Sequence, residues 1–112
     1  MSKDFNEYLR HILDECHYVL GATKSVTFDE FMSDETLKRA IVRSLEIMGE
    51  ATKKIPADIK IEYNSIQWKN IAGMRDRLVH DYMGVNYNIV WDVVQNKIPD
   101  IQSQITAFLD RD

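Results

Sequence analysis

The sequence predicts an all-α fold: a small up-and-down bundle of four to six helices, one domain across residues 1–112, paired into a twofold homodimer. Three observations predict the bundle. Apolar residues recur at spacings of three and four along most of the chain, which lines one face of a helix. Capping residues and helix breakers stand at the ends of these stretches. Strand-like alternation is confined to Ile59-Lys60-Ile61-Glu62-Tyr63, too short and solitary for a sheet. With 45% hydrophobic and 29% charged residues the composition is that of a folded protein, and 112 residues give one modest core without room for a second.

The first helix runs from Phe5 to Leu20 on the stripe Phe5, Leu9, Ile12, Cys16 and Val19, and Gly21 is expected to close it. Thr27 and Glu30 fit a capping box opening a short turn through Phe28 and Phe31. Ser33 or Asp34 caps a long helix, about Asp34 to Lys54, with Leu37, Ile41, Leu45 (or Ser44), Met48 and Ala51 on one stripe and Pro56 forbidding continuation. Gly49 inside it costs about 1 kcal/mol relative to Ala, which suggests close packing against another helix. The Asn64-Ser65 pair caps a third helix through Trp68, Ile71, Ala72, Arg75, Leu78 and Val79, with Gly84 as terminator. Asn86 caps a fourth with Ile89, Val90, Val93 and Val94 inward, and Pro99 breaks or kinks it before Ile101, Ile105, Phe108 and Leu109.

Several function classes are disfavoured. The start of the chain mixes both charge signs and lacks the apolar run of a signal peptide, and no stretch approaches the roughly 18 apolar residues of a membrane span. A cytoplasmic protein without membrane association is expected. Cys16 is the only cysteine, so neither an intrachain disulfide nor a multi-cysteine zinc site is possible. The net charge of −4 disfavours a broad phosphate-tracking surface, so RNA contact has to be local, with Lys69, Arg75 and Arg77 as its cations and Asp76 and Asp81 partly offsetting them.

The chemistry concentrates in the segment from Arg75 to Tyr82, expected at the end of the third helix. Metal-free RNA cleavage needs a base for the ribose 2′-hydroxyl proton, an acid for the leaving oxygen and a cation for the charge growing on the phosphate. His80 and Arg75 supply two of these. One imidazole cannot be base and acid at once, so water, Tyr82 or a second copy of His80 has to fill the remaining role. On an ideal helix positions 75 and 80 lie about 140° apart, which favours a site shared across a twofold interface. No cofactor and no metal are called for.

The pattern Arg75, His80, Tyr82 resembles the motif of HepT-like toxins of the HEPN ribonuclease superfamily. Gly49-Glu50-Ala51, the run from Trp68 to Arg75, Ile89-Val90-Trp91 and Ile98-Pro99 are similar too, so the resemblance spans essentially the whole chain. It implies an all-helical dimer that cuts RNA without metal at a composite site of Arg75 and His80. It also implies a toxin held in a larger complex by a nucleotidyltransferase antitoxin, which adenylylates the motif tyrosine, here Tyr82. Asp76 departs from the asparagine often found after the motif arginine; it either lowers activity or orients Arg75.

The remaining residues have plainer readings. His11 and His17 are about 240° apart around a helix and belong to the surface or to packing. Cys16 reads as core, Trp68 and Trp91 as core or interface fillers, and Glu50 as solvated. The alternative function is a noncatalytic helical module that binds a nucleotidyltransferase partner or a nucleotide.

Overall fold

The computed structural model describes residues 5–80 and 84–111, with Val79 and His80 described by their backbone alone. Among the described residues are eight helices and one short antiparallel strand pair. The all-α expectation holds, but the helices outnumber the four to six anticipated, because the segment between the second long helix and Asn86 folds as several short pieces.

Helix α1 (Asn6–Thr23) buries Leu9, Ile12, Cys16 and Val19, as its periodicity requires. It does not stop at Gly21. The helix passes through that glycine to Thr23, whose hydroxyl donates to the Val19 carbonyl at 2.8 Å, and the reversal falls at Ser25, with φ of 66°. Thr27 and Glu30 close the expected capping box at the start of α2 (Phe28–Ser33). Asp34, not Ser33, caps α3 (Glu35–Lys53), accepting from the Leu37 N–H at 2.9 Å. Its face of Ile41, Leu45 and Met48 is wholly buried.

After Pro56 the run with two-residue alternation makes no sheet, as expected, and folds largely within helix α4 (Ala57–Glu62), which buries none of its own residues. Ile59 and Tyr63 half-bury against the core while Ile61 is 74% exposed, so the two-residue alternation reflects one side of a brief helix. The Trp68 indole donates to the Tyr63 carbonyl at 3.1 Å, which satisfies its one polar atom in the core.

The third long helix is broken. Asn64 and Ser65 do not cap it; α5 (Trp68–Ala72) follows Gln67 without a side-chain cap, and Gly73 separates it from α6 (Met74–Leu78). Beyond α6 the chain does not continue helically to Gly84. Val79–His80 forms strand β1, paired antiparallel with β2 (Gly84–Val85), with Val79 opposite Val85 and His80 opposite Gly84. Gly84 sits at φ of +99°, a conformation that few other residues tolerate.

Asn86 caps α7 (Tyr87–Asn96) as expected, accepting from the N–H groups of Asn88 and Ile89. Pro99 then opens a separate helix, α8 (Ile98–Leu109), which resolves the choice between two helices and one kinked helix. The framework is α1 laid against α3 and α8, with α5 and α6 across α3 and α7 against α8. Lys38, 8% exposed, bridges α3 to α7, its ammonium 4.5 Å from the Tyr87 ring centre and 3.0 Å from Glu35. No helix among the described residues is long and apolar enough to cross a membrane.

Candidate active site

Helix α6 is five residues long, too short to hold itself together. It is held by Met74 and Leu78, four residues apart and both buried, which leaves Arg75, Asp76 and Arg77 exposed between them. Just before it, α5 lies hard against α3: a Cβ at Gly49 would stand 3.2 Å from the Ile71 carbonyl oxygen and 3.3 Å from that of Ala72. The close packing inferred for Gly49 is therefore present, and its partner is the backbone leading into the Arg75 turn.

The Arg75 guanidinium turns toward α3, where Nε donates to Glu46 Oε2 at 3.3 Å. The other Glu46 oxygen, Oε1, lies 3.8 Å from Arg43 Nη1. Arg75 Nη1 also stands 3.8 Å from Asp76 Oδ1, but Asp76 is 87% exposed and Arg75 58%, so water weakens that pair. Asp76 thus lies within reach to orient Arg75. Exposed pairs of this kind contribute about 0–1 kcal/mol, so neither carboxylate adds much to fold stability.

The three cations expected to form one patch are dispersed. Arg77, two residues beyond Arg75 and so about 200° around the helix, lines a groove of about 330 Å³ with Asn70, Met74, Lys97 and Asp100, on the side facing α7 and α8. Lys69 lines a different concavity, beside Lys60 and Trp68. Arg75 instead shares its surface with Arg43, a cation the motif does not contain.

His80 lies in β1, off the helix, so the 140° separation expected of an unbroken helix does not apply. Its strand is tied to the start of α7, where the Asn86 N–H donates to the Leu78 carbonyl at 2.8 Å. Asp81 and Tyr82 lie outside the described residues. Among the described residues no three of His, Cys, Asp and Glu gather in a group able to hold a metal ion.

Other residues have settled places. Cys16 is buried in α1, and that burial, with the Glu15 carboxylate adding to it, pushes its thiol up to about 12. His11 and His17 are exposed, and Glu50 is exposed beside Lys53 at 3.5 Å. Trp91 packs against Phe31 with ring centres 5.0 Å apart. Glu46 is the residue the sequence reading missed; a carboxylate three residues after Arg43 on a helix was the available signal, and it does not name Arg75.

Comparison with known proteins gives a consistent result. A family model described as "Ribonuclease HepT-like" matches residues 7–108. The protein of Caldanaerobacter subterraneus subsp. tengcongensis named "Putative RNase TTE0752" is 44% identical, over 94% of each chain. "Putative RNase MJ0127" of Methanocaldococcus jannaschii is 43% identical over 96% of this chain and 88% of that one. "Probable ribonuclease HepT" of Thermococcus cleftensis is 35% identical over 93% of this chain and 94% of its own. No solved structure matches. With a family model covering nearly the whole sequence and relatives this similar along their length, the chain belongs to the HepT-like ribonuclease family and is by that membership an RNA-cutting enzyme.

Proposed function

We propose that the chain is a metal-independent endoribonuclease that works as a twofold homodimer, with Arg75 and His80 as its catalytic groups and Tyr82 as the site of its control. The observation that carries this reading is Arg75: an exposed guanidinium on α6, bound by its Nε to Glu46, with its terminal nitrogens meeting, among the described residues, only the exposed Asp76 carboxylate at 3.8 Å, a pair that a phosphate can displace. His80 follows within the same α6–β1 connection.

In the proposed reaction His80 takes the 2′-hydroxyl proton, the 2′-oxygen attacks the adjacent phosphorus, and the 5′-oxygen departs with a proton, leaving a 2′,3′-cyclic phosphate. Arg75 stabilises the charge that builds on the non-bridging oxygens. The leaving oxygen's proton comes from a second donor, which a partner subunit's imidazole, Tyr82 or water would supply. Of the supporting residues, Asp76 adjoins Arg75 and Asp81 adjoins His80 in sequence, whereas Arg77 and Lys69 line separate concavities and would meet RNA only beyond the scissile phosphate.

The toxin role rests on the resemblance of the motif. A nucleotidyltransferase partner would join the α-phosphate of ATP to the Tyr82 oxygen with release of pyrophosphate. The adduct would place negative charge and bulk two residues from His80, which repels RNA and blocks its approach.

The test is cleavage of end-labelled RNA by purified protein in excess chelator. Wild type is expected to cut, His80→Ala to lose about 10²–10⁴-fold, and Arg75→Ala about 10²–10³-fold. Equal cutting by all three would mean a contaminating nuclease, and nucleotide binding with no turnover on any RNA would favour the noncatalytic module. In the same series, intact mass after co-expression with a partner nucleotidyltransferase should rise by adenylyl increments that Tyr82→Phe removes.

A further inference from the structure

We propose that Glu46 is a positioning residue for the Arg75 guanidinium and that Arg43 is a second phosphate-contacting cation of the same site. The proposal rests on the reading that Arg75 faces the scissile phosphate, and it adds to the site two residues of α3 that lie outside the motif.

The argument begins with burial. Glu46 is 27% exposed, whereas Arg75 is 58% and Arg43 71% exposed, so the carboxylate is sunk and the two guanidiniums stand out from it. Glu46 is also the better anchored of the three. It follows Leu45 on α3 and precedes Met48, both fully buried, so its helix cannot shift without disturbing the core. A long arginine side chain has no such constraint, and a fixed acceptor gives it one.

The geometry of the bond matters as much as its presence. Glu46 receives Arg75 through Nε and not through the terminal nitrogens. That leaves the outer edge of the guanidinium, Nη1 and Nη2, open as a planar two-donor fork, which matches two non-bridging phosphate oxygens. Asp76, the other carboxylate near Nη1, is at 3.8 Å and exposed, so an arriving phosphate competes with a weak and screened pair.

Arg43 completes the arrangement. It lies three residues before Glu46 on the same face of α3 and meets the oxygen that Arg75 leaves free. One carboxylate thus spaces two guanidiniums; Asp76 balances the second charge, but it is 87% exposed and screened, so the two cations on the Glu46 anchor remain the groups a phosphodiester would meet.

Steady-state cleavage of a labelled single-stranded RNA by wild type, Glu46→Ala, Glu46→Gln, Arg43→Ala and Arg75→Ala tests the proposal. Alanine and glutamine both suit a helix, and thermal unfolding of each variant verifies folding. Glu46→Ala is expected to lower kcat about tenfold to a hundredfold through loss of aim. Its KM should stay level or fall, because a negative charge beside the phosphate is gone. Glu46→Gln retains a carbonyl acceptor for Nε–H and should recover most of kcat. Arg43→Ala should raise KM about threefold to tenfold and flatten the salt dependence of binding.

A Glu46→Ala enzyme with unchanged or raised kcat, beside an inactive Arg75→Ala, overturns the positioning role while leaving the reading of the site intact. Glu46→Gln as slow as Glu46→Ala does the same. Unchanged KM and salt dependence in Arg43→Ala remove Arg43 from the site. Full activity in Arg75→Ala would instead defeat the reading on which the proposal rests.

Discussion

Cys16 illustrates how a single burial sets reactivity. Its thiol is raised from 9.0 to about 12, first by loss of hydration and then by Glu15, so it holds its proton in the folded chain to higher pH than in the unfolded one. The stability this contributes is complete below pH 9.0 and is lost as pH rises toward about 12. Urea unfolding of wild type and Cys16→Ala should therefore differ most at neutral pH and converge in the alkaline range, and alkylation of native protein should be far slower than of unfolded protein. The role of Cys16 was legible because an apolar stripe names its own members. Glu46 was not, since it meets Arg75 across 29 residues of sequence and only the packing of α3 on α6 brings them together.

At the scale of elements, two glycines inside helices answer opposite questions. Gly21 has nothing within 4 Å of where a Cβ would be, so Gly21→Ala should stabilise α1 by up to about 1 kcal/mol. At Gly49 the same methyl would press on the Ile71 and Ala72 carbonyl oxygens at 3.2 and 3.3 Å, and backbone does not yield as a side-chain tip does. Gly49→Ala should cost about 1–3 kcal/mol in spite of its better helix propensity, measurable by urea unfolding; a stabilised Gly49→Ala would show that α5 moves freely. Long helices with full stripes, α1 and α3, were readable almost to their ends. The region from Pro56 to Gly84 was not, because its helices are five or six residues long and periodicity needs more turns than that to declare itself.

For the molecule as a whole, the proposed dimer predicts complementation. If the site takes its arginine from one subunit and its histidine from the other, mixing inactive Arg75→Ala with inactive His80→Ala yields hybrid dimers in which one site keeps both groups. Subunit exchange at equal concentrations should then restore about a quarter of wild-type activity. A site contained within each protomer would recover none, and sedimentation of the mixture as monomers would remove the dimer itself from the proposal. The bundle was foreseeable because one hydrophobic face per helix has few ways to be covered; how two bundles would meet depends on surface residues whose pattern carries no period.

The brevity of α6 has a genetic consequence. A turn fastened to the core by Met74 and Leu78 ties the placement of Arg75 to two core side chains, so if overproduction of the enzyme kills cells as the proposed toxin role requires, survivors should carry changes in those codons as well as in the codons for the arginine and the histidine.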